Sequence, residues 1–186
     1  YSLNLPNLIT LLRIFLIPVF IILYIDPTQN RSLIAAIIFA FAALTDFLDG
    51  YIARKTGQVT KLGKLLDPIA DKFLTISGLI LLVDHQKAAG WIAILIISRE
   101  IAVTGLRAIA SSSGRIMQAE SAGKIKMAIL TFAIILLILD YRVGGSILLW
   151  GALFFSIYSG ILYFIRYWRE EMASTYLSST ARADIL

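Results

Sequence analysis

Long apolar stretches alternate with short polar connections along this chain of 186 residues. Six of them approach the length of about 20 residues that a helix needs to cross the hydrocarbon core of a bilayer. They lie at residues 8–25, 32–52, 66–83, 89–110, 125–140 and 144–165. The pattern predicts an all-α membrane protein with six transmembrane helices within residues 1–170. Residues 171–186 are polar and rich in small side chains, so we expect a separate C-terminal tail.

Composition supports a membrane protein and excludes several kinds of chemistry. Hydrophobic residues make up 59% of the chain and charged residues only 16%, whereas soluble domains are about half apolar and about a quarter charged. Cysteine is absent, which excludes disulfides and thiolate metal sites, and His85 is the single histidine. The first apolar stretch contains Arg13 and shows no small-residue cleavage site, so we expect a retained span rather than a signal peptide.

Lysine and arginine fall mostly on one side of the predicted membrane. With the N-terminus inside, the outer connections carry only Arg31, Lys87 and Arg142. Because positive charge is retained on the cytoplasmic side, we expect both termini in the cytoplasm. We also expect the membrane to be a bacterial plasma membrane. The net charge of +5 then reflects contact with anionic membrane lipids, and no nucleic acid is needed to explain it. The inner basic residues are Arg54, Lys55, Lys61, Lys64, Arg115, Lys124, Lys126, Arg166, Arg169 and Arg182.

Four aspartates lie where a membrane helix should be apolar. Asp46 and Asp49 come near the inner end of the second predicted span, and Asp67 and Asp71 at the inner start of the third. An ionisable group inside a span costs about 2.5–3.5 kcal/mol on insertion scales, so each needs a reason. The connection between the spans is short, so the two helix ends must be neighbours. Pro68 favours a helix that begins near it, which leaves an N-cap role open for Asp67.

Carboxylates that converge in this way need cations to stay ionised. Ligand sets made only of oxygen favour hard cations, so we expect two divalent ions, Mg²⁺ or Mn²⁺, with Ca²⁺ also compatible. Small residues share the acidic helix faces, since helical steps of three or four place Gly50 and Ala53 beside Asp46 and Asp49, and Gly63 beside Asp67. Small side chains either let helices pack closely or leave room for a phosphate substrate.

The spacing of these residues resembles a known family signature. Residues 46–54 read DFLDGYIAR, eight residues follow, and residues 63–71 read GKLLDPIAD. This segment is similar to the motif D-x2-D-G-x2-A-R-x8-G-x3-D-x3-D of the CDP-alcohol phosphatidyltransferase family, and every specified position is present. The resemblance covers all six predicted spans.

The resemblance implies a reaction and a set of roles. An acceptor hydroxyl attacks the lipid-bearing phosphorus of CDP-diacylglycerol, and CMP leaves. Asp46, Asp49, Asp67 and Asp71 would hold the two metal ions, and Asp71 would also be the general base. The CDP-diacylglycerol site would comprise Gly50, Ala53, Arg54 and Gly63. The family also implies one six-helix bundle with a polar cavity open to the cytoplasm, and a homodimer, for which the Ser156 and Gly160 spacing offers a contact or else an internal packing face.

Two further segments indicate the acceptor. Residues 4–13 (NLPNLITLLR) and 98–107 (SREIAVTGLR), with GKIK at 123–126, resemble the branch of the family that uses sn-glycerol 3-phosphate. An acceptor that is itself a phosphate dianion needs fixed positive charge, and Arg107, Lys124 and Lys126 lie at the inner span ends. Anchoring on the positive side of the membrane explains each of these residues equally well. Arg99, deeper in its span, is expected to pair with Glu100 or another carboxylate.

Three alternatives stay open at this stage. Serine, inositol phosphate or phosphatidylglycerol as acceptor would keep the chemistry and change the specificity. A divalent-cation transporter would also need intramembrane carboxylates, although all four aspartates lie near one face of the predicted membrane. A structural membrane subunit would leave those costly carboxylates unexplained.

Overall fold

The structure is a computed structural model that describes residues 5–56, 61–112 and 121–183, with side chains for residues 8–45, 70, 72–110, 112, 125–170 and 172. This part of the chain forms six α-helices and contains no strand. The all-α prediction is therefore confirmed for the described residues. The helices are α1 (Leu5–Tyr24), α2 (Gln29–Thr56), α3 (Lys61–Asp84), α4 (Gly90–Ser112), α5 (Ser121–Ile138) and α6 (Arg142–Ala183).

The predicted spans match these helices in number and order, but α2 and α3 are longer than their apolar runs. Helix α2 continues to Thr56 and α3 begins at Lys61, so most of the polar stretch between the predicted spans is helical. A helix can continue beyond its apolar run, because many polar residues, such as lysine and arginine, have good helix propensity. The N-cap interpretation of Asp67 is wrong, because α3 begins six residues earlier.

Helix α6 is 42 residues long, which corresponds to about 63 Å at about 1.5 Å per residue. It runs through residue 170 without a break and ends at Ala183, so most of the expected C-terminal tail continues this helix. The apolar run predicted only its first half. The second half carries charged and small polar residues, which a hydropathy pattern does not distinguish from a loop.

The helices pack around a core of large apolar side chains. Phe20 of α1 stacks against Tyr24 at a ring-centroid distance of 5.9 Å and meets Phe39 of α2 at 5.3 Å. Helix α3 packs against α1, α2, α4 and α5, which makes it the central helix. Its close approach depends on Gly78, where an added Cβ would lie 3.0 Å from Phe39 Cε2 and 3.2 Å from Ile134 Cγ2.

Apolar side chains also cover the outside of the bundle. Within the described residues, the segment Arg142–Glu170 is long and apolar enough to cross a membrane, with a mean hydropathy of 1.8 over its apolar window. Leu8–Tyr24, Gln29–Thr45 and Ile125–Ile138 are shorter apolar segments. Each helix turns at least one large apolar side chain outward with more than half of its surface exposed. Examples are Phe15, Ile37, Phe73, Ile94, Phe132 and Phe154.

Candidate active site

The four motif aspartates belong to two helices that pack against each other. Asp46 and Asp49 lie in the second half of α2, and Asp67 and Asp71 in the first half of α3. Because α3 is helical from Lys61 onward, Gly63, Asp67 and Asp71 follow one another at steps of four, as the one-face prediction requires. The side chains of all four aspartates, and those of Gly50, Ala53, Arg54 and Gly63, lie outside the described set.

Among the side chains that are described, no group of three or more His, Cys, Asp or Glu residues is arranged to hold a metal ion. That search does not reach the aspartates, so the predicted ligand set stays a prediction. Its donor chemistry suits the expected ions, because Mg²⁺ and Mn²⁺ prefer carboxylate oxygens to nitrogen or sulfur ligands. Cysteine is absent and His85 lies near the opposite end of the bundle.

Two polar side chains of α1 and α2 are buried. Thr45, directly before Asp46, donates its hydroxyl to the carbonyl oxygen of Ala42 at 2.7 Å, which is a local helix contact consistent with a packing role. Arg13 is completely buried within α1. An arginine with no exposed surface in an apolar helix requires polar surroundings, so α1 contributes a positive charge to the interior of the bundle.

Lys72, the residue after Asp71, forms an ion pair that the sequence did not indicate. Its Nζ donates to Glu100 Oε2 at 2.7 Å, which joins α3 to α4. Lys126 of α5 donates to the other carboxylate oxygen, Oε1, and Arg99 Nη1 reaches the same oxygen at 2.8 Å. Glu100 is only 7% exposed and Lys126 only 2%. The expected pairing of Arg99 with Glu100 is confirmed, and we call these four residues the Glu100 cluster.

Arg99 extends the Glu100 cluster to α6. Its Nε donates to the carbonyl oxygen of Ser156 at 2.9 Å, and its Nη2 donates to Ser159 Oγ at 2.7 Å. At Gly160, an added Cβ would lie 3.1 Å from Arg99 Cγ. The face that contains Ser156 and Gly160 is therefore filled by α4. Of the two interpretations of that spacing, the structure supports internal packing.

The predicted acceptor residues have different surroundings. Arg107 of α4 is exposed, and its guanidinium lies over the Tyr163 ring at 5.7 Å from the centroid, within cation–π range. Lys126 is buried against Glu100. Lys124 belongs to α5, and its side chain lies outside the described set. Arg107 thus lies on α4, and Lys124 and Lys126 lie on α5, while a phosphate site shared by the three residues stays a prediction.

The expected polar cavity stays a prediction, because the motif side chains lie outside the described set. The space beside Lys72 and Glu100 has a volume of about 10 Å³, which is room for about one water molecule. Its other walls are mostly apolar and include Met127, and Thr75 adds one hydroxyl group.

Sequence reasoning missed Glu100 as the centre of this arrangement. The only available signal was its position, since a glutamate in the middle of an apolar run must have a partner. Arg99 was the obvious candidate as its neighbour. Lys72 and Lys126 are 28 and 26 residues away, and helical spacing within one span carries no information on contacts at such distances.

Comparison with known proteins agrees with the motif. A sequence model of the CDP-alcohol phosphatidyltransferase family matches residues 3–158. A relative from Bacillus subtilis (strain 168) is 42% identical and is aligned over 92% of this chain and 98% of its own length. Relatives from Rickettsia typhi and Wigglesworthia glossinidia brevipalpis are 39% and 36% identical over 87% and 90% of this chain. All three are named CDP-diacylglycerol–glycerol-3-phosphate 3-phosphatidyltransferase.

The matched region extends from the start of α1 into α6 and includes both halves of the aspartate motif. The alignments with the relatives extend over nearly the whole length of each relative, so the likeness is not confined to the motif. The chain belongs to the CDP-alcohol phosphatidyltransferase family.

Proposed function

We propose that this protein transfers the phosphatidyl group of CDP-diacylglycerol to sn-glycerol 3-phosphate, giving phosphatidylglycerophosphate and CMP. The observation that carries the proposal is that the motif is complete and divided between α2 and α3, two helices that pack together. The names of the relatives support both substrates. Those names do not favour serine, inositol phosphate or phosphatidylglycerol as acceptor, nor an ion-transport function.

In the proposed site, Asp46, Asp49, Asp67 and Asp71 hold two divalent cations, Mg²⁺ or Mn²⁺. When bound, such a pair of cations neutralises the pyrophosphate and the charge that develops during phosphoryl displacement. The aspartates would supply the negative charge and the oxygen ligands that such cations need. Gly50, Ala53 and Gly63 leave space for the nucleotide headgroup because they lack bulky side chains, and Arg54 donates hydrogen bonds to a phosphate.

Asp71 acts as general base in this proposal. The 1-hydroxyl oxygen of the acceptor forms a bond to the lipid-bearing phosphorus, its proton moves to the Asp71 carboxylate, and the bond from that phosphorus to the CMP oxygen breaks. Asp71 lies on α3, which packs against α1, α2, α4 and α5 within the described residues. Its central position supports a catalytic rather than a peripheral role.

In this proposal Arg107 and Lys124 bind the acceptor phosphate directly, and Lys126 acts on it only through its charge. Two negative charges on a phosphate need cationic hydrogen-bond donors, and arginine offers two parallel N–H groups to such a ligand. Arg107 is exposed and braced by the Tyr163 ring, so its guanidinium is available. Lys126, which is buried with Glu100, supplies positive potential below the site.

We further propose that all six helices span a bacterial plasma membrane, with both termini and the site on the cytoplasmic side, as one bundle with a polar cavity. The large apolar side chains that every helix exposes support this placement, because soluble proteins rarely expose so much contiguous apolar surface. A homodimer, which family resemblance implies, would use a face other than the Ser156 and Gly160 face that α4 occupies.

The test is CMP release by purified protein in detergent with CDP-diacylglycerol and one acceptor at a time. We expect release with glycerol 3-phosphate, dependent on Mg²⁺ or Mn²⁺ and abolished by a chelator. Release with serine or inositol phosphate instead would overturn the acceptor assignment and retain the chemistry. No release with any acceptor from a folded sample would overturn the proposed reaction.

A further inference from the structure

Glu100 is the meeting point of three helices. Its Oε2 accepts from Lys72 of α3 at 2.7 Å, and its Oε1 accepts from Lys126 of α5 and from its neighbour Arg99 at 2.8 Å. Through Arg99 the same carboxylate is linked to Ser159 of α6. Long charged side chains are rarely buried in proteins unless they are paired. The cluster contains four buried or partly buried charged side chains, and its hydrogen bonds join four helices. Because burying charge is costly, we expect the cluster to have a specific role.

The partners of Glu100 lie next to residues of the proposed site. Lys72 directly follows Asp71, the proposed base, and Lys126 is two residues from Lys124 in α5. Arg107 is seven residues beyond Glu100 in α4, about two helical turns, so the two residues share one side of that helix. One carboxylate thus connects the helix of the proposed base, the helix of Lys124 and the helix of Arg107.

The electrostatic balance of the Glu100 cluster makes this carboxylate hard to replace. The cluster contains three cations, Lys72, Arg99 and Lys126, around the single anion Glu100. Like charges repel strongly in a medium of low dielectric constant. Without the carboxylate, the ammonium groups of Lys72 and Lys126 would move apart, and α3 and α5 would follow them.

From this geometry, and resting on the proposed function, we propose that Glu100 is a positioning residue of the transfer reaction. It touches neither substrate. It holds Lys126 and Lys72 against α4, and so sets the distance between the aspartates of α3 and the basic acceptor residues of α4 and α5. Its effect is on the acceptor rather than on the nucleotide lipid, because the motif residues assigned to CDP-diacylglycerol lie in α2 and at the start of α3.

The experiment compares Glu100→Gln, Glu100→Asp and wild type in detergent by steady-state CMP release and by thermal unfolding. Glutamine keeps the shape and removes the charge, whereas aspartate keeps the charge and shortens the reach. We expect Glu100→Gln to raise the KM for glycerol 3-phosphate about tenfold or more, the size typical of removing a partner that orients site residues. The KM for CDP-diacylglycerol should change much less than that for glycerol 3-phosphate. The KM of Glu100→Asp for glycerol 3-phosphate should lie between those of wild type and Glu100→Gln.

Two control variants separate positioning from simple loss of stability. Gly78→Ala disturbs core packing between α2, α3 and α5, and Asp140→Asn removes the carboxylate of an exposed ion pair in the α5–α6 turn. Gly78→Ala should lower Tm while leaving the KM for glycerol 3-phosphate at the wild-type value. Asp140→Asn should leave that KM unchanged as well.

The inference is overturned if Glu100→Gln lowers Tm but keeps both KM values, since that is the behaviour of a purely structural ion pair. Equal increases of both KM values would overturn it too. If Glu100→Gln does not fold, Glu100→Asp decides alone, because an unchanged KM for glycerol 3-phosphate in that variant contradicts positioning. Failure of the proposed function is distinguishable, because wild-type protein would then release no CMP with glycerol 3-phosphate.

Discussion

Two ion-pair clusters in this protein use the same residue types in opposite surroundings. The Glu100 cluster lies inside the bundle, where the side chain of its central carboxylate is 9% exposed and Lys126 is 2% exposed. At the other cluster, Asp140 in the α5–α6 turn contacts Lys87 at 3.4 Å and Arg142 at 3.1 Å, but its side chain is 62% exposed. The first joins four helices through their interior, and the second joins two surface turns.

The surroundings decide what each cluster contributes. Near Asp140, water screens the charges, and exposed pairs of this kind contribute little to stability. In the Glu100 cluster, Glu100 and Lys126 have lost nearly all contact with water, so removal of one partner leaves a buried charge uncompensated. The buried cluster is therefore the more costly to build and the more damaging to break. Because Lys72 of this cluster directly follows Asp71 of the motif, we infer that the costly buried charges serve the site rather than the fold.

The exposed cluster around Asp140 lies where helices end and the chain reverses direction. Asp140 adopts a left-handed backbone conformation with φ 67°, as Gln86 does with φ 55° in the α3–α4 turn. Aspartate tolerates this conformation better than most residues. His85 Nε2 donates to the carbonyl oxygen of Tyr24 at 2.7 Å, which fastens the end of α1 to the α3–α4 turn. These contacts organise three chain reversals at one end of the bundle, away from the aspartates.

The largest expected effect belongs to the motif end of the bundle. Asp71→Asn should reduce kcat by about 10²–10⁴-fold, the usual contribution of a general base, while Tm stays close to that of wild type. CMP release and thermal unfolding of the same preparation measure both quantities. Full activity in a folded variant would show that the proton goes elsewhere.

The second largest effect tests the buried cluster directly. Arg99→Met removes the guanidinium that links Glu100 to α6 and leaves Ser159 Oγ without its donor. We expect a loss of about 1–3 kcal/mol in the free energy of unfolding, the cost of buried polar groups deprived of a partner. A Tm equal to that of wild type would mean that the Arg99 contacts add nothing to stability and would break the contrast with Asp140.

A pair of glycine substitutions compares packing inside and outside the bundle. Gly78→Ala introduces a Cβ at 3.0 Å from Phe39, so overpacking of about 1–3 kcal/mol should outweigh the gain in helix propensity. Gly105→Ala in α4 meets nothing within 4 Å and should stabilise by up to about 1 kcal/mol. Thermal unfolding of both variants checks the sign, and a stabilised Gly78→Ala would contradict the close approach of α3 to α2.

The smallest effect is expected at Asp140 and depends on pH. The hydrogen bond from Arg142, and then the charge of Lys87, lower the pKa of Asp140 below its usual value. A depressed folded-state pKa contributes stability above the unfolded-state pKa, and this is lost as pH falls through the folded-state value. The Tm of Asp140→Asn should therefore be slightly below wild type at neutral pH and converge with it in acid. A difference that grows in acid would contradict this assignment.

The sequence predicted more of the fold than of the candidate site. Hydropathy located the six helices of the described residues, because long apolar runs separated by short polar connections are typical of helices. It misjudged the ends of α2, α3 and α6, because polar residues beyond an apolar run carry no signal of where a helix stops. The motif located the aspartates on α2 and α3 through fixed spacing.

The partners of Glu100 could not be predicted from the sequence, and the reason is physical. Contacts such as Lys72 with Glu100 depend on the rotation and depth of one helix against another. A single sequence records periodicity within a helix but not the relative rotation of two helices. Arg99 could be paired with Glu100 only because the two are adjacent, and the bonds from Arg99 to Ser156 and Ser159 appeared only in three dimensions.

The most direct test of the central claim is the acceptor dependence of CMP release from CDP-diacylglycerol. Purified wild-type protein in detergent would receive Mg²⁺ or Mn²⁺, or a chelator, with glycerol 3-phosphate, serine, inositol phosphate or phosphatidylglycerol in separate reactions. The account predicts release that requires the metal and occurs with glycerol 3-phosphate alone. A folded protein that releases CMP only with another acceptor, or with none, would contradict it.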